Sequence, residues 1–291
     1  MNYKCQSMTG KIESILIKRP EAAFISQENL NRTWEDFKYF GCPDYEKVLE
    51  EYAQFEKHIK ENVKNVFYLP KDDRTGLDSI YAHDPLKVTE KGAIYFPMGK
   101  ALRGKEYLAT REYMESIGVP TLGVITAPGK MEGGDVLWID EKTVAIGRGY
   151  RTNDEGIRQF KELTKDFIDE YIIIPMPHGD GENCCLHLMS IISFVDTDKA
   201  VVYSKYMPVF FREYLIGKGI QLIECNDEEY DYLGTNVLAL EPGKCITIAG
   251  NPEIIKKMED AGVEVLTYEG KELSYRGTGG PTCLTCPIYR L

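Results

Sequence analysis

The stretch VLWIDEKTVAI (residues 136–146) places two short β-prone runs on either side of a polar connection. Short connections rich in Asp, Gly and Pro between such runs are typical of antiparallel hairpins. The same pattern recurs at residues 86–96, 191–203 and 237–248. The sequence therefore predicts four hairpins of one kind.

A helix and then a strand follow each predicted hairpin. Apolar residues with the spacing of an amphipathic helix occur within residues 107–117, 157–167, 208–216 and 252–261. Glycine is the residue expected just after a helix end, and three of these helices run into Gly118, Gly219 and Gly262. Strand-like runs then begin near residues 121, 172, 220 and 263.

An earlier, degenerate copy of this unit opens the chain. It contains a strand at residues 15–17, a helix from about Tyr45 to Asn62 with Asp44 as N-cap, and a strand at residues 66–69. Five units repeating every ~45–55 residues indicate a radial or solenoid array. A doubly wound sheet is the alternative, but it lacks a hairpin before every helix. We therefore predict an α/β fold in which five ββαβ modules close into one domain spanning residues 1–291.

The composition narrows the class of partner. The chain has 35 Lys and Arg against 46 Asp and Glu, a net charge of −11, which argues against binding to a nucleic-acid backbone. An acidic surface favours a cationic small molecule, although most of the excess acid is explained as solvated surface. Apolar runs fall far below the ~20 residues that cross a bilayer, and the N-terminus lacks the apolar segment of a signal peptide. We expect a cytoplasmic protein without membrane or nucleic-acid partners.

The eight cysteines do not predict a metal site. Only Cys283 and Cys286 have CxxC spacing, and structural zinc usually needs a second pair of cysteines or closely spaced histidines. A thioredoxin-like CxxC opens a helix near the start of a βαβ unit, whereas this one lies close to the C-terminus. We expect reduced thiols and neither a metal nor an organic cofactor.

Polar residues of catalytic type recur just before the hairpins. Asp84 precedes the second unit, Glu132 and Asp135 precede the third, His187 enters the fourth, and Asn236 precedes the fifth. If the units are related by rotation about an axis, these equivalent positions fall on one ring. Acids and a histidine are then expected to converge at a central cavity.

Each of these residues also has a purely structural explanation. Asp84 before a proline is typical of a turn, EGGD (132–135) of a loop with positive φ, and His187 between apolar neighbours of a core histidine. Asn153 can simply cap the following helix. GTGGPTC (277–283) lacks the Gly-Lys-Ser/Thr ending of a phosphate-binding loop, so its glycines are better explained by close approach of a ligand.

Together, these motifs resemble those of the guanidino-group modifying enzymes, the pentein superfamily. The resemblance rests on ILIKRP (15–20), EGGDV (132–136), RTN (151–153), LHL (186–188) and GGPTC (279–283), in the expected order along essentially the whole chain. The superfamily includes arginine deiminases, amidinotransferases and dimethylarginine dimethylaminohydrolases. Its fold is a five-bladed α/β propeller of ββαβ modules, which agrees with the five units counted above.

The resemblance implies catalytic roles for three residues. Cys283 matches the nucleophile, His187 the general acid and base, and Glu132 the carboxylate that orients this histidine. Implied substrate-binding residues are Asp84, which grips the guanidinium, Asp135, and Arg151 and Arg103 for the substrate's α-carboxylate. Gly104 interrupts the doubled basic pattern that many relatives have beside Arg103.

The chemistry of a guanidinium explains why these residue types occur together. This group is planar and permanently charged, so it is a poor electrophile in water. A carboxylate holds it by two charge-assisted hydrogen bonds and fixes its plane for attack. A thiol near pKa ~8.5 must be activated to a thiolate before it adds to the central carbon. Histidine protonates the leaving amine, and water then converts the covalent S-alkylthiouronium to citrulline.

Two features favour a dimethylarginine dimethylaminohydrolase-like member. Arginine deiminases have an aspartate two residues after the catalytic histidine, where this chain has Met189, and they are generally longer. HLMS (187–190) is similar to the HLKS pattern of the dimethylarginine enzymes. We therefore predict a hydrolase of arginine or N-methylated arginine. An amidinotransferase and a non-catalytic arginine-binding protein are the alternatives, and the oligomeric state is open, a homo-oligomer included.

Overall fold

The computed structural model describes residues 1–179, 181–182 and 186–291, which form five three-stranded sheets. The strands are β1 Ile12–Ile17, β2 Asn65–Tyr68, β3 Leu86–Thr89, β4 Gly92–Tyr95, β5 Thr121–Val124, β6 Val136–Trp138, β7 Thr143–Arg148, β8 Glu170–Pro175, β9 Ile192–Asp196, β10 Lys199–Val202, β11 Gln221–Glu224, β12 Leu238–Glu241, β13 Lys244–Ile248, β14 Glu264–Tyr268 and β15 Thr285–Arg290. The helices are α1 Pro20–Ala23, α2 Gln27–Thr33, α3 Tyr45–Asn62, α4 Glu106–Ser116, α5 Asp154–Thr164, α6 Val209–Gly217, α7 Asp227–Asp231 and α8 Pro252–Asp260.

Four of the sheets repeat one ββαβ module. In the first of these, β3 pairs antiparallel with β4, and β5 returns through α4 to pair parallel with β4. The sheets β6-β7-β8, β9-β10-β11 and β12-β13-β14 have the same order, with α5, α6 and α8 as their crossovers. The four predicted hairpins and the helices that follow them are therefore confirmed.

The remaining module joins the two ends of the chain. Its central strand β1 pairs parallel with β2 across α3, but its antiparallel partner is the C-terminal strand β15. In this register Leu16 lies opposite Cys286 and Ile17 opposite Thr285. The N-terminal unit looks degenerate in the sequence because its first strand is at the other end of the chain.

Local capping sets the helix boundaries. Asp44 accepts a hydrogen bond from the Lys47 N–H at the start of α3, and Asn153 accepts one from the Gly156 N–H at the start of α5. Backbone φ angles of 89°, 79° and 86° favour glycine after three helices; these residues are Gly118, Gly219 and Gly262. The predicted helix over residues 157–167 ends earlier, at Thr164, where the chain turns to enter β8.

Apolar side chains fill the spaces between neighbouring sheets. The described residues contain five buried clusters, and each joins two consecutive sheets. In one cluster Leu16 of the β1 sheet packs with Val88 of the β3 sheet. Another brings Ile17 of the β1 sheet together with Leu240 of the last sheet. Because this contact joins the last sheet to the first, the modules form the closed array that the sequence predicts.

The first strand of each sheet lies closest to the axis of this ring. These inner strands are β3, β6, β9, β12 and β15, and they contact one another around the axis, β9 against β12 and β15 against β3. The segments that lead into the inner strands meet at one end of the axis. Within the described part of the chain, no helix is both long and apolar enough to span a bilayer.

Candidate active site

A ring of five hydrogen bonds ties together the segments that lead into the inner strands. Each bond joins one module to the next, so the segments are fixed relative to one another around the axis. The bonds are His83 N–H to Cys283 O (3.2 Å), Gly133 N–H to Asp84 O (2.8 Å), Leu188 N–H to Asp135 Oδ1 (2.9 Å), Thr235 Oγ1–H to Ser190 O (2.7 Å) and Thr282 N–H to Asn236 Oδ1 (3.1 Å).

Glu132 and His187 form a buried pair between the third and fourth modules. His187 Nε2 lies 2.7 Å from Glu132 Oε2, and the glutamate side chain is 0% exposed. The other oxygen, Oε1, accepts hydrogen bonds from Gly99 N–H and Arg151 Nε–H, each at 2.9 Å. Burial opposes ionisation of Glu132, but the hydrogen bond from His187 and the charge of Arg151 bring its pKa below the ordinary value. An ionised carboxylate only accepts hydrogen bonds, so His187 carries its proton on Nε2.

Gly134 provides the space in which the His187 ring lies. A Cβ atom built on Gly134 would be 2.5 Å from His187 Nδ1 and 2.7 Å from Cγ. Such contacts require the ring to move, so only glycine leaves His187 in place beside Glu132. The second glycine of the EGGD motif therefore serves packing against His187, whereas the first, Gly133, packs on the backbone oxygen of His83.

Asp135 holds the segment that carries His187. Its Oδ1 accepts the Leu188 N–H and its Oδ2 accepts the Thr152 hydroxyl at 2.6 Å. Burial raises the pKa of this carboxyl to about 6. Since the chain itself occupies both oxygens, this geometry fits a positioning role better than the predicted contact with substrate.

Asp84 is paired with a buried arginine. Arg103, only 3% exposed, donates from Nη1 to Asp84 Oδ2 at 2.7 Å and from Nε and Nη2 to Glu106. Burial opposes ionisation of Asp84, but the Arg103 charge holds the pKa of that carboxyl well below its usual range. The second oxygen, Asp84 Oδ1, is buried and has no hydrogen-bond partner in the part of the chain that the structure describes. This charged acceptor therefore remains available to a cation entering the site.

Arg103 is thus enclosed by acidic groups of the protein. Glu106 at the start of α4 and Asp84 neutralise its charge; burial raises the pKa of Glu106, and the adjacent Arg103 charge opposes that rise. Arg151 is more accessible, with 11% of its side chain exposed. Of the two arginines that the sequence associates with an α-carboxylate, Arg151 is the better placed to meet one.

Sequence reasoning missed a third carboxylate near Arg103, besides those of Asp84 and Glu106. Asp78 is buried in a 3₁₀ turn, Leu77–Ile80, and its Oδ2 accepts a hydrogen bond from Lys100 Nζ at 2.6 Å. This turn lies outside the repeated positions before the inner strands, so no signal in the sequence marks it. Gly99, whose N–H donates to Glu132, also lies outside these repeated positions, so the sequence does not mark it either.

Cys283 is partly buried in the turn that precedes β15. Its Sγ accepts a hydrogen bond from Asn236 Nδ2 at 3.2 Å. Gly279 and Gly280 pack so closely on Tyr81 and Asn236 that an added Cβ would lie 2.2 Å and 2.6 Å from those side chains. Close packing around the thiol thus accounts for the paired glycines of GGPTC.

The neighbouring thiol has a different environment. Cys286 is buried within β15, and burial raises its pKa to about 12. It therefore remains a neutral thiol in neutral solution. Cys184 and Cys185 lie outside the described residues. Within the described residues, no three His, Cys, Asp or Glu side chains are grouped as a metal site requires.

Met189, the residue two positions after His187, is buried in the apolar cluster between the third and fourth sheets. Its neighbours in this cluster include Leu137 and Ile191. At this position the chain offers no carboxylate that could grip a guanidinium.

Comparisons with known proteins agree with the predicted superfamily. The arginine deiminase family model matches residues 60–216 and 207–290. An arginine deiminase from Mycobacterium marinum is 31% identical over 195 residues, which cover 57% of this chain and 47% of the relative. The chain thus spans about half the length of the curated arginine deiminases it matches. The uncharacterized protein YkgA of Bacillus subtilis is 24% identical over 287 residues, covering 98% of this chain and 95% of that protein.

Solved structures show the same fold. A mutant dimethylarginine dimethylaminohydrolase from Pseudomonas aeruginosa, complexed with citrulline, superposes with a TM-score of 0.77 at 22% identity and covers 96% of this chain and 100% of its own. SxtG, an amidinotransferase from Microseira wollei, gives a TM-score of 0.78 at 16% identity, covering 99% of this chain and 97% of its own. These matches confirm the predicted pentein fold.

Proposed function

The chain belongs to the arginine deiminase family, and we propose that it is a cysteine-dependent hydrolase of arginine or an N-methylated arginine. The observation that carries the proposal is the buried Oδ1 of Asp84, an ionised acceptor without a partner among the described residues. An unpaired buried carboxylate oxygen is costly, and a guanidinium would satisfy it. Cys283 and the Glu132–His187 pair belong to the same hydrogen-bonded ring as Asp84.

We assign recognition of the substrate's two ends to different residues. Asp84 holds the guanidinium, and Arg103 together with Glu106 keeps Asp84 ionised and fixed. Arg151, which retains some exposure, meets the α-carboxylate. This division gives Arg103 a supporting role, because a guanidinium between two carboxylates is already neutralised.

In the first half of the proposed reaction, the Cys283 thiolate adds to the central guanidinium carbon. Asp84 fixes the plane of that carbon for attack. The C–N bond to the leaving amine then breaks, and His187 gives that nitrogen a proton. The product is an S-alkylthiouronium on Cys283. Glu132 stabilises the protonated state of His187 by its charge, as the orienting acid does in other nucleophile–histidine pairs.

In the second half, His187 takes a proton from water as the water oxygen adds to the thiouronium carbon. The C–S bond breaks, the Cys283 thiolate is restored, and the ureido product leaves. Atoms balance as one water consumed and one amine or ammonia released. For an arginine substrate the product is citrulline.

Product analysis tests the reaction directly. We expect incubation with arginine, methylarginine or dimethylarginine to yield citrulline with ammonia, methylamine or dimethylamine, detected by mass spectrometry. In H₂¹⁸O the ureido oxygen should carry the label. Agmatine lacks the α-carboxylate that Arg151 is proposed to bind, so it should be processed more slowly than arginine. Absence of turnover with every guanidine, together with no adduct on Cys283, would contradict the proposal, and a new guanidine on an added amine would identify an amidinotransferase.

The packing of Gly134 on His187 supplies a second prediction. Gly134→Ala should lower kcat about 10²-fold, because the new methyl group displaces the ring and small misplacements of catalytic groups are that costly. Gly217→Ala is the matched control, since no atom lies within 4 Å of a Cβ built there. Steady-state kinetics and circular dichroism would check both variants. Full activity in a folded Gly134→Ala protein would show that the position of His187 is unimportant.

A further inference from the structure

A second group of polar residues lies on the ring axis, further along the inner strands than the candidate active site. It surrounds a cavity of about 30 Å³. Inner strands of all five sheets contribute to the wall, through Arg290 of β15, Lys87 of β3, Trp138 of β6, Phe194 of β9 and Ala239 of β12. Most of this wall is apolar. Two cationic side chains in it are therefore unexpected.

Lys87 and Arg290 are both buried, at 7% and 6% exposure. Neither forms an ion pair with a carboxylate of the described residues. The groups that favour a charged Lys87 from a distance are the thiols of Cys5 and Cys286, which act only when ionised, and Asp84, whose own ion pair is with Arg103. Burying a cation without a partner is strongly unfavourable, and two adjacent cations also repel each other. The cavity therefore concentrates positive charge that no carboxylate of the described residues pairs with.

The hydrogen bonds of His83 define the direction in which Lys87 donates. His83 Nδ1 lies 3.0 Å from Thr285 O, and a carbonyl only accepts, so Nδ1 carries the proton. His83 Nε2 is then an acceptor, and it takes a hydrogen bond from Lys87 Nζ at 2.7 Å. Burial lowers the pKa of His83 to about 3, which keeps it neutral. An ammonium group has three donors, and this contact uses one of them.

Arg290 also has donor capacity left at the cavity. Its Nη1 donates to Gly10 O at 2.6 Å and its side chain interacts with the Cys5 thiol, whereas its Nε is buried without a hydrogen-bond partner among the described residues. The thiol of Cys286 in the wall cannot supply the missing negative charge, because burial raises its pKa to about 12. Burial also acts on Lys87 and lowers its pKa to about 8. In most molecules the Lys87 side chain is therefore still charged at pH 7.

We propose that this cavity binds one small monovalent inorganic anion of halide size between Lys87 and Arg290. The volume suits a single occupant of about the size of a water molecule or slightly larger. A largely apolar wall disfavours strongly hydrated polyvalent anions such as sulfate, because they would lose more hydration than two donors restore. The cavity adjoins the candidate active site through His83 and Thr282, but Asp84 and Cys283 do not line it.

Bromide is a suitable probe, because it scatters anomalously and can replace other halides. In a chloride-free buffer of constant ionic strength, sodium bromide should be substituted stepwise for sodium gluconate. The free energy of unfolding of the full chain should then rise with bromide concentration and reach a plateau. At bromide a hundredfold above its Kd, the unfolding equilibrium constant should fall about 10²-fold, equivalent to a rise in Tm of about 4 °C. Sodium sulfate at equal ionic strength should give no saturable rise.

Lys87→Met should remove the bromide dependence while remaining folded, since the variant no longer buries that charge. Lys256→Met, at an exposed position on α8, is the matched control and should keep the dependence. A crystal grown in bromide should show an anomalous peak between Lys87 Nζ and Arg290. If Lys87→Met fails to fold, this peak decides the matter. No peak at saturating bromide, or equal bromide dependence in wild type and Lys87→Met, would overturn the proposal.

Discussion

Replacing Cys283 with serine should reduce turnover of every guanidine that the protein processes by about 10³-fold or more, because a hydroxyl is a far weaker nucleophile than a thiolate. The change is small in volume, and the contact with Asn236 can persist, since serine oxygen also accepts hydrogen bonds. Binding of substrate should therefore survive. The expected signature is a loss in kcat with KM little changed, measured by citrulline release.

Cys286→Ser is the matched control, three residues further along the chain in β15. Its thiol is buried and remains neutral, so we expect most of the activity to survive. A buried hydroxyl in an apolar cluster costs some stability, about 1–3 kcal/mol, and the control must therefore be assayed below its own unfolding temperature. Iodoacetamide should label Cys283 in the wild type and lose that label in Cys283→Ser. Equal loss of activity from both substitutions would mean that the wrong sulfur was chosen.

The parts of the fold that follow from local sequence could be predicted. Each hairpin, such as residues 136–146, is specified by two β-prone runs and a short polar connection. The pairing of β1 with β15 has no such signal, because it joins the two ends of the chain and depends on closure of the ring. The sequence therefore indicates five repeats, while the partner of the first strand emerges only from the structure.

In the candidate site, too, some residues could be predicted from the sequence and others could not. Asp84, Glu132 and His187 stand just before inner strands, so the repeat predicts them before any contact is known. Cys283 is predicted only by the resemblance of GGPTC, because β15 belongs to no hairpin in the sequence. The role of Arg103 depends on Glu106, which comes into reach only because α4 begins there. The sequence marks Arg103 as a candidate binding residue, but it does not show which anion Arg103 contacts.

Asp84→Asn should lower kcat/KM for a cationic guanidine about 10²–10³-fold, the cost typical of removing one charge from a buried hydrogen-bonded pair. The carboxamide keeps the shape of the side chain but loses the charge that faces the substrate and Arg103. Arg103 retains Glu106, so we expect the variant to fold, which urea unfolding would check. Affinity for citrulline should fall much less, because its ureido group is neutral.

Glu106→Gln separates direct contact from support in this network. It removes the other carboxylate of Arg103 while leaving Asp84 and its unpaired Oδ1 in place. If Asp84 grips the guanidinium itself, Glu106→Gln should lower kcat/KM far less than Asp84→Asn does, although both remove one negative charge near Arg103. Equal losses in the two variants, or an equal loss of citrulline affinity in Asp84→Asn, would mean that Asp84 only positions Arg103. Comparing arginine with citrulline in both variants therefore measures which carboxylate recognises the cation.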